Sequence, residues 1–509
     1  MQIVSPLKNK EVALRYIIGL FTALLLILTA YSFLHNKYYV AGEDEVIYYN
    51  GAKLFSETGS IRATECNTED VSKLGQCNWY GPMYNIFYGS IARVFGMHNY
   101  NFLIINLACF LSIVLLIAYS TLNQEVKLLI ICSLLALHSV ITYIFTFFPE
   151  TLELLFSVIL SLKLVDIATE TKTKNKTILT YILLILFFSL FRVSTVFWVF
   201  GLLAFSKSVK DFLLKLGVGI TCFILIYAYI VYFNAPFYGT SMGHIMHDKL
   251  GLGTIKFLIQ KIGSNTIALF TRNPFYELLL IPVFLITVYS LYTTKNKLML
   301  CACIITIIYA LVLLALYVPY TVFLNKQTAC LFPLLLIAFF YTEKTNLKYI
   351  ALILILLISP ITYLKSARTI KEHKIMWAEY DKARPVVTQL EGIKNNAEGS
   401  HPITILTLYR EFDDIVPFPV LSSCLPLVNN SKQPILYTYD FPIEGTHKGS
   451  FKNESNFQTY GKLNIDYILS RHPITLDSTS LAYSCNLYYL YKNNRKINST
   501  VTKPASPRS

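Results

Sequence analysis

The stretch YIIGLFTALLLILTAYSFLHNKYYVAGEDEVIYYNGAKLFSETG, residues 16–59, joins an apolar run to a charged segment that follows it directly. The run from Tyr16 to Leu34 is long enough to cross a bilayer as a helix, which needs about 20 mainly apolar residues. It is too long for the apolar region of a cleaved signal peptide, and no small-residue cleavage site follows it. The segment from Val46 to Gly59 has apolar residues at helical spacing and ends in glycine, which predicts a helix on the membrane surface.

Ten further apolar segments indicate a polytopic α-helical membrane protein with about eleven transmembrane helices. They cover Phe102–Tyr119, Leu128–Phe145, Leu152–Ile167, Ile178–Leu190, Val193–Phe205, Leu213–Phe233, Phe275–Tyr292, Leu298–Tyr317, Thr328–Phe340 and Leu347–Tyr363. The short loops rich in lysine, at 172–176, 207–210 and 295–297, fall on the same side as the N-terminus in this arrangement. Because positive residues collect in cytoplasmic loops, we predict a cytoplasmic N-terminus and an exoplasmic C-terminal region.

The composition excludes several other classes of protein. Hydrophobic residues make up 54% of the chain and charged residues 15%, with a mean hydropathy of +0.50, whereas soluble chains carry roughly 25% charged residues. A disordered chain, a coiled coil and an ordinary soluble enzyme are therefore excluded. The net charge of +14 alone would allow nucleic-acid binding. Lys and Arg in cytoplasmic loops account for that charge, so we predict no nucleic-acid partner.

The long polar regions lie on one side of the membrane in this arrangement. The transmembrane domain covers residues 1–363 and includes a first outer loop at 35–101 and a second at 234–274. Residues 364–492 are expected to form a small exoplasmic α/β domain, with strands at Pro402–Leu408, Pro434–Tyr439, Ile465–Ser470 and Leu487–Tyr491. The polar residues 493–509 are expected to be a disordered tail. Because the two long loops and the C-terminal domain lie on the outer side, we expect the functional site there.

The ten cysteines divide by location. Four form two local sets in the predicted outer regions, Cys66 with Cys77 and Cys424 with Cys485, where thiols can oxidise. We predict a disulfide in each set; a zinc site is the alternative, although neither set has CxxC spacing. The other six lie in apolar segments and are expected to be small core residues: Cys109, Cys132, Cys222, Cys301, Cys303 and Cys330.

Two groups of acidic residues on the outer side are candidates for catalysis. Asp44 and Glu45 stand at the start of the surface helix, where the helix dipole favours an ionised carboxylate that can act as a general base. Glu150 and Glu153 stand at the start of the fourth apolar segment, at a membrane boundary. A carboxylate at this depth costs free energy, so it is expected to have a partner or a function. The alternative for both groups is structural, because acids are common in solvated loops and at helix starts.

Basic and aromatic residues on the same side supply further candidates. Arg192 lies between two short apolar segments, and a guanidinium binds phosphate through paired hydrogen bonds; snorkelling to the interface is the alternative. Arg272 and Lys326 lie in outer loops and are further candidates for phosphate binding. Tyr80 and Tyr84 belong to the turn NWYGPMY, residues 78–84, and are candidates for stacking on a sugar. An interfacial aromatic belt is the alternative for this turn.

Four pieces of the first outer loop, taken in order, resemble the first outer loop of the GT-C glycosyltransferase superfamily. They are Asp44-Glu45, Ala52–Gly59, Tyr80-Gly81-Pro82-Met83-Tyr84 and Val94-Phe95-Gly96. The chain is similar in this respect to protein O-mannosyltransferases, lipid A aminoarabinose transferases and lipopolysaccharide-core sugar transferases. One position departs from the pattern, because several of these relatives carry His or Lys just before the proline of the turn, where this chain has Gly81.

The resemblance implies a multi-pass membrane glycosyltransferase whose sugar donor is linked to polyprenyl or dolichyl phosphate. Its partners would be that donor, an acceptor hydroxyl on a glycan, lipid or protein, and the membrane lipids around it. We place it in a bacterial inner membrane with the active site facing the periplasm; a secretory lumen is the alternative. A divalent metal ion, Mg²⁺ or Mn²⁺, is the cofactor that the chemistry admits.

The same resemblance assigns roles within a single displacement that inverts the anomeric carbon. A carboxylate accepts the proton of the acceptor hydroxyl, and cationic groups stabilise the departing phosphate. The implied assignments are Asp44 as base, Glu45 and Glu150 as acceptor-orienting or metal-holding groups, Arg192, Lys326 and Arg272 as phosphate ligands, and Tyr80, Tyr84 and Glu153 as sugar or acceptor contacts.

Two alternatives from other functional classes remain. One is a transporter or flippase for the same lipid-linked sugar, and the other is a non-catalytic membrane scaffold whose C-terminal region binds a partner. Many transporters are built from internal repeats, and this sequence shows none, because no later loop mirrors the long first one. This observation favours the enzyme over the transporter.

Overall fold

The structure is a computed structural model of the 509-residue chain. It describes residues 6–34, 37–61, 81–169, 174–233, 256, 259–267, 277–316, 329–343, 345–396, 403–408, 424, 435–440, 466–470, 473, 479–485 and 488–493. Its main helices are α1 (Pro6–Phe33), α2 (Glu43–Thr58), α3 (Met83–Phe95), α4 (Asn101–Tyr119), α5 (Gln124–Ala136), α6 (His138–Ile144), α7 (Glu150–Thr169), α8 (Lys174–Ser189), a 3-10 helix (Val193–Phe205), α9 (Val209–Phe233), α10 (Glu277–Thr294), α11 (Lys297–Leu316), α12 (Leu331–Thr342) and α13 (Leu347–Asn396).

The apolar helices confirm an α-helical membrane protein. Each of the eleven predicted segments overlaps one of these helices or, for the third segment, the pair α5 and α6. Within the described ranges, five helices are long and apolar enough to cross a membrane, and the α5–α6 pair makes a sixth if it counts as one span. The 3-10 helix, α12 and the apolar parts of α8 and α10 are shorter. The three shortest predicted segments, Ile178–Leu190, Val193–Phe205 and Thr328–Phe340, therefore correspond to short apolar helices.

The third predicted segment is broken at Leu137, where α5 and α6 meet at an angle of 64°. A break leaves backbone carbonyls without their helical partners, which is tolerated in a membrane only where neighbouring groups bond them. Two hydroxyls of α13 do so: Thr362 donates to the carbonyl of Ala136 at 2.8 Å, and Tyr363 donates to that of Leu135 at 3.0 Å. Sequence periodicity predicted one straight span because it does not report these contacts with a distant helix.

The C-terminal region contains the predicted sheet. Its strands are β1 (Thr404–Leu408), β2 (Leu436–Asp440), β3 (Tyr467–Ser470), β4 (Thr479–Cys485) and β5 (Tyr488–Asn493), in the spatial order β2-β1-β3-β5-β4. Strand β1 is parallel to β2 and β3, and β5 is antiparallel to β3 and β4. The sequence analysis did not predict β4, an edge strand in which every residue is half-buried or exposed.

Contacts divide the chain into two compact units. The first comprises Met1–Val40, Gly51–Arg62 and Gln76–Lys374, and the second comprises Ala41–Asn50, Ala63–Gly75 and Ile375–Ser509. The predicted limit of the transmembrane domain, after residue 363, falls inside α13, a helix of 50 residues. Residues 494–509 of the predicted tail lie outside the described residues.

The cysteines agree with the prediction in part. All six cysteines of the apolar segments are buried, as expected for core residues. The predicted disulfide between Cys424 and Cys485 is not formed in the structure. A shared side of the membrane does not bring two thiols to the Cα separation of about 4.4–6.8 Å that a disulfide needs. Cys66 and Cys77 lie outside the described residues, so their disulfide stays a prediction.

Candidate active site

Two of the predicted carboxylates lie in the first turn of α7. Pro149 precedes the helix, and its carbonyl accepts the backbone N–H groups of Leu152 and Glu153 at 2.9 and 3.2 Å. Proline fits this position because its ring presets the backbone for a helix start and it has no N–H to satisfy. Glu150 is 0% exposed and Glu153 is 6% exposed. The helix start therefore holds two buried acidic groups at the end where the helix dipole favours negative charge.

Arg192 provides the positive charge beside them. It immediately precedes the 3-10 helix and is only 3% exposed. Its Nη1 donates a hydrogen bond to Oε2 of Glu153 and lies 3.7 Å from Oε1 of Glu150. A buried charge is tolerated when it is paired and hydrogen-bonded. The guanidinium is therefore a buried partner of two carboxylates, whereas a snorkelling arginine would extend to water.

Tyr84 joins this cluster from helix α3. Its phenol donates to Oε1 of Glu153 at 2.5 Å, and its ring packs edge-on against Phe191 with centroids 5.6 Å apart. Burial, and then the negative charge of Glu153, raise the pKa of Tyr84 well above its ordinary value. The phenol therefore stays protonated and acts as a hydrogen-bond donor. Four residues predicted separately, Tyr84, Glu150, Glu153 and Arg192, thus meet at one place.

A second polar layer lies behind Arg192. The hydroxyls of Tyr309 and Ser194 are hydrogen-bonded at 2.8 Å, and the thiol of Cys330 donates to Tyr309 at 3.4 Å. The hydroxyl of Ser157, one turn after Glu153, donates to the backbone carbonyl of Cys330. The sequence analysis did not select these residues, because they are single polar groups in separate apolar helices. The signal that could have selected Tyr309 is a tyrosine in a helix, α11, that has no other aromatic residue.

The chain departs from the GT-C pattern at Gly81, where both the backbone conformation and the neighbouring Tyr229 side chain favour glycine. Its φ of +84° is a conformation that side chains disfavour, and a Cβ there would lie 3.1 Å from the hydroxyl oxygen of Tyr229. Tyr229 belongs to α9, and its hydroxyl donates to the carbonyl of Leu190 at 3.2 Å. A larger residue at position 81 would therefore have to displace the Tyr229 ring.

The acidic pair of the first loop belongs to the second unit and is described by itself. Glu45 is 2% exposed, and its Oε2 accepts the backbone N–H groups of Ala41 and Gly42 at 2.9 and 2.8 Å. This contact is the acidic half of a capping box, which satisfies N–H groups at the helix start. Asp44 is the second residue of α2, and its side chain lies outside the described residues. The helix ends at Gly59, whose φ is +69°, as its sequence predicts.

Several predicted residues cannot be placed. Tyr80, Arg272 and Lys326 lie outside the described residues. In the part of the chain that the structure describes, no three His, Cys, Asp or Glu side chains come together in a way that could hold a metal ion. A divalent ion stays a prediction.

Comparison with known proteins adds to this geometry. No protein-family model and no curated protein sequence matches the chain. Among solved structures, ArnT from Cupriavidus metallidurans in the apo state is 11% identical, with a TM-score of 0.53 over 93% of this chain and 97% of that chain. ArnT bound to undecaprenyl phosphate is 10% identical, with a TM-score of 0.55 over 94% and 98%.

A third similar structure comes from a different organism. The oligosaccharyltransferase of Archaeoglobus fulgidus in complex with Zn and sulfate is 12% identical, with a TM-score of 0.51 over 88% of this chain and 68% of that chain. At such identities the likeness concerns the fold, and it extends over most of the chain in all three comparisons. The chain therefore has the fold that these structures share, in agreement with the resemblance of its first outer loop to the GT-C glycosyltransferases.

Proposed function

We propose that the chain is a GT-C glycosyltransferase that moves a sugar from a polyprenyl- or dolichyl-phosphate-linked donor to an acceptor hydroxyl at the outer membrane face. The observation that carries this proposal is the fold match to ArnT, over 94% of this chain, in a structure that binds undecaprenyl phosphate. A donor with an isoprenoid tail stays in the bilayer, so an enzyme that uses it has reason to be built from transmembrane helices. The proposal includes a bacterial inner membrane and a site that faces the periplasm.

Asp44 is the proposed general base. Glu45, the next residue, fixes the start of α2 through the amides of Ala41 and Gly42, and this start is the backbone that carries Asp44. In the proposed reaction, Asp44 takes the proton of the acceptor hydroxyl while the hydroxyl oxygen attacks the anomeric carbon. The bond from that carbon to the donor phosphate oxygen breaks, and its electron pair leaves with the phosphate. The product sugar has the inverted configuration.

The Glu150–Glu153–Arg192 cluster supplies the other proposed roles. Glu150 orients the acceptor, and Arg192 shares the charge of the departing phosphate together with Lys326 and Arg272. A guanidinium carries five N–H donors in a planar fork, a geometry that suits a phosphate group. Tyr84 and Glu153, with Tyr80, contact the sugar or the acceptor in this proposal, and the protonated phenol of Tyr84 keeps Glu153 in a fixed orientation.

Mass spectrometry of cell-surface glycans tests the proposed activity directly. Glycans and glycolipids are compared between cells that make the protein and cells from which its gene is deleted. The proposal expects one sugar modification to disappear on deletion while its lipid-linked donor accumulates on the outer face. A donor that is instead confined to the cytoplasmic face would identify a flippase, and unchanged glycans would contradict the proposal.

Asp44→Asn tests the assignment of the base. Loss of a general base typically lowers the rate about 10²–10⁴-fold, and we expect a loss of that size in membranes that contain equal amounts of folded protein. The neighbouring substitution Glu43→Gln is the matched control and should have a milder effect, with Glu45→Gln intermediate. Should Glu43→Gln abolish transfer while Asp44→Asn does not, the base has been assigned to the wrong residue.

A further inference from the structure

The turn between α6 and α7 presents Glu150, and side chains from other elements hold its backbone. The turn covers residues 145–149 and has little regular structure of its own. The phenol of Tyr38, in the segment after α1, donates to the carbonyl of Phe145. Backbone carbonyls that lie away from water need such partners, because an unmade hydrogen bond is expensive there. The geometry of Glu150 therefore depends on residues far from it in sequence.

Asn106 of α4 makes most of these contacts. Its side chain is 0% exposed, and Nδ2 lies 3.2, 3.1 and 3.2 Å from the carbonyl oxygens of Tyr143, Thr146 and Phe148. One amide nitrogen thus bridges the end of α6 and the turn that leads to Glu150. An amide NH2 has two hydrogens, which three carbonyls can share. No aliphatic or hydroxyl side chain of similar size can offer two donors in this geometry.

The other end of the same amide faces helix α3. Oδ1 of Asn106 accepts a hydrogen bond from the phenol of Tyr88 at 3.2 Å, and the Tyr88 ring stacks on Phe102 with centroids 4.3 Å apart. Tyr84 lies one helical turn before Tyr88 and donates to Glu153. Asn106 therefore connects the turn before Glu150 with the helix that orients Glu153.

We infer that Asn106 is a positioning residue, which holds Glu150 and Glu153 at the distance and orientation that sugar transfer requires. The inference rests on the proposed function. A buried asparagine that merely satisfies its own hydrogen bonds could be anchored to one element. Asn106 instead joins α3, α4 and the turn, and it does so within three residues of Glu150, at Phe148. Because a displacement of about 1 Å at a reacting group can cost about 100-fold in rate, such a bridge has a direct effect on catalysis.

Asn106→Asp is the informative substitution, since it keeps the size of the side chain and replaces the NH2 group by an oxygen that faces three carbonyls. We expect the turnover number to fall about 100-fold, whereas KM for the donor should change much less, because Asn106 bonds the turn and Tyr88 rather than Arg192, the described residue proposed to bind the donor phosphate. Transfer is measured in membranes at increasing amounts of lipid extract from the host cells, which supplies the donor. Tyr88→Phe removes a single hydrogen bond and should give a smaller loss in the same direction.

Asn101→Asp is the matched control. It makes the same chemical change at the start of the same helix, at a half-buried residue whose amide donates to the carbonyl of Gly96 at 2.8 Å. Hydrogen exchange of the purified protein provides a readout that needs no substrate: Asn106→Asp should raise exchange in the peptide that carries residues 143–153 and leave α11 unchanged, and Asn101→Asp should change neither.

Two results would overturn the inference. The first is a normal turnover number in both Asn106→Asp and Tyr88→Phe, and the second is faster exchange throughout the protein with no change confined to residues 143–153. Failure of the proposed function gives a different pattern, in which the unsubstituted protein forms no glycan product in membranes while the local exchange response to Asn106→Asp persists.

Discussion

Arg192 and Glu153 form an ion pair that water hardly reaches, with side chains 4% and 6% exposed. Removing one partner of a buried pair is far more destabilising than the net contribution of the pair, because the remaining charge stays in a medium that solvates it poorly. Arg192→Leu should therefore lower the free energy of unfolding by about 3–5 kcal/mol. Arg192→Lys keeps the charge, although not the planar donor geometry, and should lose less. Thermal unfolding of the purified protein in detergent measures both changes.

The control for this prediction is an exposed ion pair of the same chemistry. Arg368 and Glu372 lie one helical turn apart on α13, with side chains 81% and 49% exposed, and water and salt screen such a pair. Arg368→Leu should leave the unfolding temperature almost unchanged. Equal losses in the two Leu variants would show that the burial of Arg192 does not govern its contribution.

Helices α2 and α3 contact each other closely at Gly89. A Cβ on this residue would lie 2.7 Å from the backbone oxygen of Ala52, a distance at which the two helices must separate. Overpacking of this kind typically costs about 1–3 kcal/mol, and we expect Gly89→Ala to destabilise the protein by that amount. Because α3 carries Tyr84 and Tyr88, the separation should also weaken their hydrogen bonds to Glu153 and Asn106.

Gly217→Ala is the control for this substitution, and the two substitutions should change the free energy of unfolding in opposite directions. Gly217 lies within α9, and nothing lies within 4 Å of the position that its Cβ would take. Alanine restricts the unfolded chain more than glycine does, so this change should stabilise the protein by about 0.4–1 kcal/mol. Unfolding temperatures of both variants, taken under the same conditions, check the pair. Destabilisation by both would mean that helix propensity and contact distance do not explain the effect.

Elements that depend on local patterns could be predicted from the sequence, and those that depend on distant contacts could not. The apolar runs locate the helices, and the glycine at position 59 locates the end of α2. The sequence did not predict the break at Leu137, which hydroxyl groups of the distant helix α13 stabilise. It also did not predict the strand β4, which depends on its pairing with β5. The same limit applies to the site. Glu150, Glu153 and Arg192 could be selected from the sequence because they are charged residues at the ends of apolar segments. Asn106 and Tyr309 could be identified only from the residues that they contact.

The orientation of the whole molecule in the membrane follows from its charge distribution. The lysines of the short loops predict a cytoplasmic N-terminus and, with eleven spans, an exoplasmic C-terminal region. Reporter fusions at Lys10 and at Ser509 should therefore report opposite sides of the membrane. Fusions that report the same side would show that the number of spans is even, and the start of α7, with Glu150 and Glu153, would need to be reassigned to a side.

Undecaprenyl phosphate tests the proposed function on the whole molecule without knowledge of the sugar or the acceptor. It is bound by ArnT, which shares this fold, and it combines the isoprenoid tail and the phosphate that the proposed donor site must hold. A ligand that binds only the folded state raises the free energy of unfolding by about 2.7 kcal/mol when its concentration is 100 times Kd. We therefore expect undecaprenyl phosphate to raise the unfolding temperature of the purified protein in a concentration-dependent way.

Undecaprenol, which has the same tail and no phosphate, is the control and should give a much smaller shift in the unfolding temperature. Equal shifts with the two lipids would mean that the tail alone is bound and that Arg192, Arg272 and Lys326 are not phosphate ligands. No shift with either lipid would contradict a polyprenyl-phosphate donor.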